Sequence, residues 1–79
     1  MKGGSQMPIS DYDFKISLKA CRINADLKQQ ELADKLDVSR DTIRNWEKGN
    51  TSPTIIQLQK ISAITGIPIN FIFLPNILQ

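Results

Sequence analysis

The sequence predicts an all-α domain built from five short helices. Three observations carry that expectation. Apolar residues recur at helical spacing, the stretches between them hold Gly, Pro, Asn and Asp, and strand-like alternation is absent before the last six residues. Within this pattern residues 27–53, LKQQELADKLDVSRDTIRNWEKGNTSP, hold two amphipathic stretches joined by a turn so tight that only an angled helix pair accommodates it.

Taken in order, residues 1–8 form a polar leader containing Gly and Ser and are expected to be flexible. Residues 9–74 are expected to fold as one domain, and residues 75–79 to form an apolar tail. Ser10 reads as the cap of the first helix, with Asp13 three residues on. Phe14, Leu18, Cys21 and Ala25, with Ile23 beside them, supply its inward stripe, and residues 24–26 close it. The second helix spans about Gln29 to Leu36. Asp37 stands at the turn, where a left-handed backbone is needed that Asp tolerates better than most residues. Ser39 caps the third helix, about Arg40 to Lys48, and Gly49 stops it. GNTSPT is a loop, after which Ser52 or Thr54 caps a fourth helix running to about Thr65. Its inward residues are Ile55, Leu58, Ile61, and Ile64 or Ala63, and Gly66 ends it. Pro68 opens a fifth helix, Ile69 to Leu74, which Pro75 forbids from continuing.

Composition narrows the function. The 79 residues leave room for one domain, which buries roughly 60% of its unfolded surface and so needs an efficient core. No apolar run approaches the ~20 residues of a membrane span, and no secretory signal is present, so the cytoplasm is the expected compartment. One cysteine and no histidine exclude an internal disulfide framework and a zinc finger, and no metal or cofactor is expected. The carboxylates are scattered, with no nucleophile–base pair among them, which argues against an enzyme. A net charge of +2 decides nothing either way, because a small nucleic-acid-binding domain needs its charge on one face more than in its total.

The angled pair has the form of a helix-turn-helix. Leu27, Leu32, Ala33, Leu36, Val38, Ile43 and Trp46 lie on buried faces, and the polar face of the second member of the pair is offered to the DNA major groove. Arg40, Arg44 and Lys48 recur at four-residue steps and share that face. Arg donates two bonds to guanine and Asn pairs with adenine, so Arg40, Arg44 and Asn45 are candidate base readers. Thr42 can touch a thymine methyl. Asp41 either accepts from a cytosine amino group or orients Arg40 or Arg44. Lys48 is placed against phosphate. Gln29, at the start of the second helix, can hold a phosphate oxygen with its side chain and backbone amide. Trp46 is either a base-stacking platform or core, and its spacing from Leu36 and Ile43 turns it toward the core. Cys21 reads as a small buried hydrophobe, with redox sensing the alternative.

Residues 15–74 resemble the lambda-repressor-like, Cro/repressor-type (XRE) helix-turn-helix family of phage and bacterial regulators. The resemblance rests on Arg22, LKQQELADKL, VSRDTIRNWEKG, the following proline and the GIPINFIFL ending. It implies that Gln29 clamps a phosphate beside the bases and that Ser39, Arg40, Asp41, Thr42, Arg44 and Asn45 meet the groove, Ser39 on the phosphate side. It places Asn50 and Thr51 in a loop that touches the DNA backbone. It also implies that Arg22 and Glu47 form a structural salt bridge rather than a DNA contact. Asp26 and Asp37 stand where the family often has Gly, Pro68 where it often has a polar cap, and Lys28 replaces the usual Ser or Thr cap. Lys28 thus loses a capping bond but sets a positive charge beside the phosphates.

The ending IPINFIFLPNIL is more hydrophobic than the tail of a lone domain requires. Ile69, Ile72 and Phe73 are expected to close the core, leaving Phe71, Leu74, Ile77 and Leu78 for an interface. The resemblance implies that this end meets a two-fold mate, setting two recognition helices one DNA turn apart. The function expected is therefore a sequence-specific double-stranded DNA-binding regulator, a small phage or prophage repressor or Cro-like protein acting as a homodimer on a palindromic operator. With no room for a sensing domain, control is expected from concentration, turnover or a protein partner such as an antirepressor. The alternative is an antitoxin that holds its toxin through the apolar end and regulates its own operator.

Overall fold

In a computed structural model, the structure describes residues 15–74. Four α-helices follow a two-residue strand: β1 (Ile16–Ser17), α1 (Leu18–Asn24), α2 (Gln29–Leu36), α3 (Arg40–Lys48) and α4 (Ile55–Thr65). A 3-10 turn (Ile69–Phe71) and a second two-residue strand, β2 (Ile72–Phe73), complete the described chain. The strands pair in parallel, Ile16 with Ile72 and Ser17 with Phe73, so the two ends of the described chain meet.

Both departures from the expected five helices occur at this junction. The first helix does not run from Ser10, because Ile16 and Ser17 are extended. The cap is Ser17, whose Oγ accepts from the Ala20 N–H at 3.0 Å. Ser10, Asp13 and Phe14 lie outside the described residues. The fifth helix is reduced to one 3-10 turn. β-branched Ile72 and aromatic Phe73 favour a strand, and Leu74 precedes a proline, which disfavours helical backbone. That change of period reverses which side chains face inward. A helix would bury positions 69, 72 and 73, whereas an extended chain buries 72 and 74 and turns 73 out. Accordingly Ile72 and Leu74 are both 6% exposed, while Ile69 and Phe73 are 38% and 43% exposed. Leu74 therefore belongs to the core and not to an interface.

The middle of the chain follows its local signals. Ser39 caps α3 by accepting from the Thr42 N–H at 3.1 Å, and Gly49 ends it at φ 85°. Thr54 rather than Ser52 caps α4, in a reciprocal box in which the Gln57 side chain accepts from the Thr54 N–H at 2.8 Å. Asp26 and Asp37 both adopt left-handed backbone, at φ 62° and 59°. Leu18, Cys21, Leu32, Ala33, Leu36, Ile43, Trp46, Leu58 and Ile61 join Ile72 and Leu74 in one core, with Leu27, Val38 and Ile64 packed on its edge. Ile23 and Ile55 are exposed rather than inward, as is Ala63. Trp46 is core and not a stacking platform. Cys21 is fully buried, and that burial pushes its thiol pKa up. No helix among the described residues is long and apolar enough to cross a membrane.

Candidate nucleic-acid interface

The α2–α3 pair is set by its apolar residues. Leu32, Ala33 and Leu36 of α2 and Ile43 and Trp46 of α3 are buried, which rotates the opposite side of α3 to the surface. On that side Arg40, Asp41, Arg44 and Lys48 are exposed, and Thr42 and Asn45 are half-buried. The five expected base readers and Lys48 therefore lie along one helix.

Several of these side chains are already engaged. Asp41 Oδ1 accepts from Arg44 Nη2 at 2.8 Å, so of the alternatives for Asp41 the structure shows contact with Arg44. Thr42 and Ser39 share a hydroxyl–hydroxyl bond of 2.9 Å. Ser39 is thus occupied as the helix cap as well as being exposed. Asn45 Oδ1 accepts from Asn50 Nδ2 at 3.2 Å, and the Asn45 carbonyl accepts from the Asn50 N–H at 2.9 Å. These bonds draw the loop carrying Asn50 and Thr51, both exposed, back over the end of α3.

Beneath that surface lies a buried polar chain. Arg22 Nε donates to Glu47 Oε2 at 2.6 Å and Arg22 Nη2 to Glu47 Oε1 at 3.2 Å, with both side chains under a tenth exposed. Arg22 Nη1 donates to the Leu27 carbonyl at 2.9 Å, tying in the turn before α2. Gln29 Nε2 then donates to Glu47 Oε1 at 3.1 Å. The expected salt bridge is present, and it reaches one residue further than the sequence reading allowed. Since a carboxylate only accepts, the amide of Gln29 must turn its nitrogen toward Glu47. One N–H of that nitrogen and the side-chain oxygen remain available to other partners.

Lys28 is the residue before α2 and is exposed; its side chain caps nothing. Its backbone N–H is instead satisfied by Glu31 Oε1 at 2.8 Å, a bond signalled by a glutamate at the third helical position. The T-x-x-Q pattern of Thr54 and Gln57 was equally legible. The link from Gln29 to Glu47 was not, because 18 residues separate them and only the packing of α2 on α3 brings them together. An open groove of about 330 Å³, lined by Arg22, Ile23, Asp26, Leu27, Lys28 and Glu31, lies at the α1–α2 turn rather than on α3. Of the expected interface residues, Phe71 is half-buried, Leu74 is buried, and Ile77 and Leu78 lie outside the described residues.

Buried apolar faces, a left-handed turn and an exposed polar recognition face define a helix-turn-helix protein. A family model described as helix-turn-helix matches residues 18–72, and the chain belongs to the Cro/repressor-type (XRE) helix-turn-helix family of DNA-binding regulators. It is 42% identical to an uncharacterized HTH-type transcriptional regulator of Methanocaldococcus jannaschii, over 77% of this chain and 92% of that protein. It is 32% identical to the cryptic phage CTXphi transcriptional repressor RstR of Vibrio cholerae, over 71% of this chain and 50% of the repressor. A third similarity, 37% identity over 71% of this chain, is to a type II methyltransferase of Lactococcus lactis subsp. cremoris, of which it covers 14%. The chain thus spans half the length of the phage repressor and a small part of the methyltransferase. No solved structure matches it.

Proposed function

We propose that the protein is a sequence-specific, double-stranded DNA-binding transcriptional regulator that lays α3 in the major groove. The observation that carries this reading is the face of α3 itself. Ile43 and Trp46 are buried, and Arg40, Asp41, Arg44 and Lys48 stand exposed on the same helix. In that placement Arg40, Thr42, Arg44 and Asn45 meet base edges, and Asp41 takes part in the base-reading set beside Arg44. Lys28, Gln29, Ser39, Lys48, Asn50 and Thr51 lie against phosphates on either side.

Likeness to a phage repressor supports a role as a phage or prophage repressor that acts by occluding its operator. A homodimer on a palindromic site fits a domain this small, since one helix reads few base pairs. Exposed Ile69 and Phe73 give the apolar end surface for such a contact in place of Leu74. The proposed compartment is the bacterial cytoplasm, where the protein joins the nucleoid when bound.

Selection of bound duplexes from a random library at near-physiological salt tests the reading. The expected result is a palindromic consensus with half-sites about one helical turn apart. Salt-sensitive background binding with no enriched sequence would overturn it. Gln29→Ala separates the two kinds of contact: it should weaken binding evenly across sequences, whereas Arg40→Ala should relax preference at one or two base positions. Gel-shift titrations on matched and mismatched sites measure both.

A further inference from the structure

The pair formed by Asp41 and Arg44 has a cost that stability does not offset. The two side chains are 68% and 47% exposed, and an exposed ion pair of this kind contributes little to folding. On the face proposed to meet DNA, a free carboxylate is repelled by phosphates, so Asp41 is unfavourable there unless its charge is matched. The bond from Arg44 Nη2 to Asp41 Oδ1, at 2.8 Å, matches it. Among the described residues Arg40 has no such partner on this face, nor has Lys48.

The same bond changes what Arg44 can do. A free arginine samples many rotamers and loses that freedom on binding; one held by a carboxylate has lost part of it beforehand. A single bond to Asp41 engages one of five N–H donors, and guanine needs only two, for O6 and N7. We propose that Asp41 and Arg44 act as one unit that reads a G·C pair, with Arg44 donating to guanine and Asp41 as its positioning residue. This inference rests on the DNA-binding reading above and names a base in its site: each half-site carries a guanine whose selection depends on both residues.

Library selections with the wild type, Arg44→Ala and Asp41→Ala test it, each variant first shown to be folded by circular dichroism. Arg44→Ala should abolish the preference for guanine at one position of each half-site and keep the rest of the consensus. Asp41→Ala, with Arg44 still present, should weaken the same preference about fivefold or more. Replacing that guanine by 7-deazaguanine removes the N7 acceptor. It should lower wild-type affinity about tenfold and leave Arg44→Ala unaffected. A general structural defect would not act at a single base.

Three results overturn the inference while leaving DNA recognition intact. The first is a consensus with no guanine dependent on Arg44. The second is a guanine preference undiminished in Asp41→Ala. The third is a position that Asp41 selects as cytosine without Arg44. Failure of the wild type to enrich any sequence overturns the DNA-binding reading instead.

Discussion

Two ion pairs of nearly equal length involve residues of α3 and do opposite work. Arg22 and Glu47 meet at 2.6 Å with side chains 9% and 6% exposed. Arg44 and Asp41 meet at 2.8 Å with side chains 47% and 68% exposed. Contact distance alone would rank them together. Burial separates them, because removing one charge from a dry site strands the other without water, whereas an exposed partner is simply rehydrated. The inner pair is held on several sides: Leu27 accepts from Arg22, and Gln29 donates to Glu47. It joins α1, the α1–α2 turn, α2 and α3. The outer pair joins two turns of one helix and leaves both residues accessible to a ligand.

The largest expected effect therefore belongs to the inner pair. Glu47→Ala should destabilise the domain by about 3–5 kcal/mol, measured by urea unfolding, since it leaves Arg22 buried and unpaired. Single domains have about 5–15 kcal/mol in total, so this variant should be partly unfolded at 37 °C. A loss below about 1 kcal/mol would break the comparison and show that water reaches the inner pair.

Backbone strain provides an intermediate case, in which an acidic residue is costly for its conformation rather than its charge. Asp37 holds φ 59° between α2 and α3. Asp37→Gly removes the clash of Cβ in that region but adds freedom to the unfolded chain, so the net gain should be at most about 1 kcal/mol. Thermal melts should show a small rise. A fall would mean that the Asp37 side chain contributes a contact worth more than the strain.

What could be read from the chain divides along the same line between local and distant causes. Boundaries of α2 and α3, the caps Ser39 and Gly49 and the left-handed Asp37 all follow from residues within a few positions of one another. The Arg22–Glu47 pair came from family resemblance, because nothing near Arg22 in the chain announces a partner 25 residues away. The ends depart from their local signals for a related reason. Ile16 and Ser17 extend because Ile72 and Phe73 lie alongside, so neither segment alone reveals the strand. Once that pairing is known, the inward turn of Leu74 and outward turn of Phe73 follow from the two-residue period. The face of α3 was legible from Ile43 and Trp46, but the rotamers upon it were not. Asp41 had three candidate partners in sequence and one in the structure.

Cys21 sharpens the comparison from inside the core, as a buried group that avoids charge instead of pairing it. It precedes Arg22 in α1 and is fully buried, and burial raises its thiol pKa above the ordinary value of 9.0. The folded thiol therefore keeps its proton at a pH where the unfolded chain has begun to lose it. Its contribution to stability is complete below pH 9.0 and is lost as pH rises through the folded value. Urea midpoints from pH 8 upward should thus fall more steeply for the wild type than for Cys21→Ala, and parallel curves would mean the thiol ionises as easily folded as unfolded.

The smallest stability effect should come from the outer pair, and its smallness is informative. Asp41→Ala removes an exposed carboxylate from the first turn of α3, where it faces the positive end of the helix and Arg44. Both interactions are screened by solvent, so unfolding free energy should change by less than about 0.5 kcal/mol and should be nearly insensitive at high salt. Measured beside Glu47→Ala, the variant calibrates what burial adds to a charge pair in this domain. A loss above about 1.5 kcal/mol would place Asp41 among the structural residues. Its place on the face proposed to meet DNA would then be explained by folding rather than by recognition. A near-neutral result leaves the bond to Arg44 without a structural purpose and favours the base-reading role proposed for the pair.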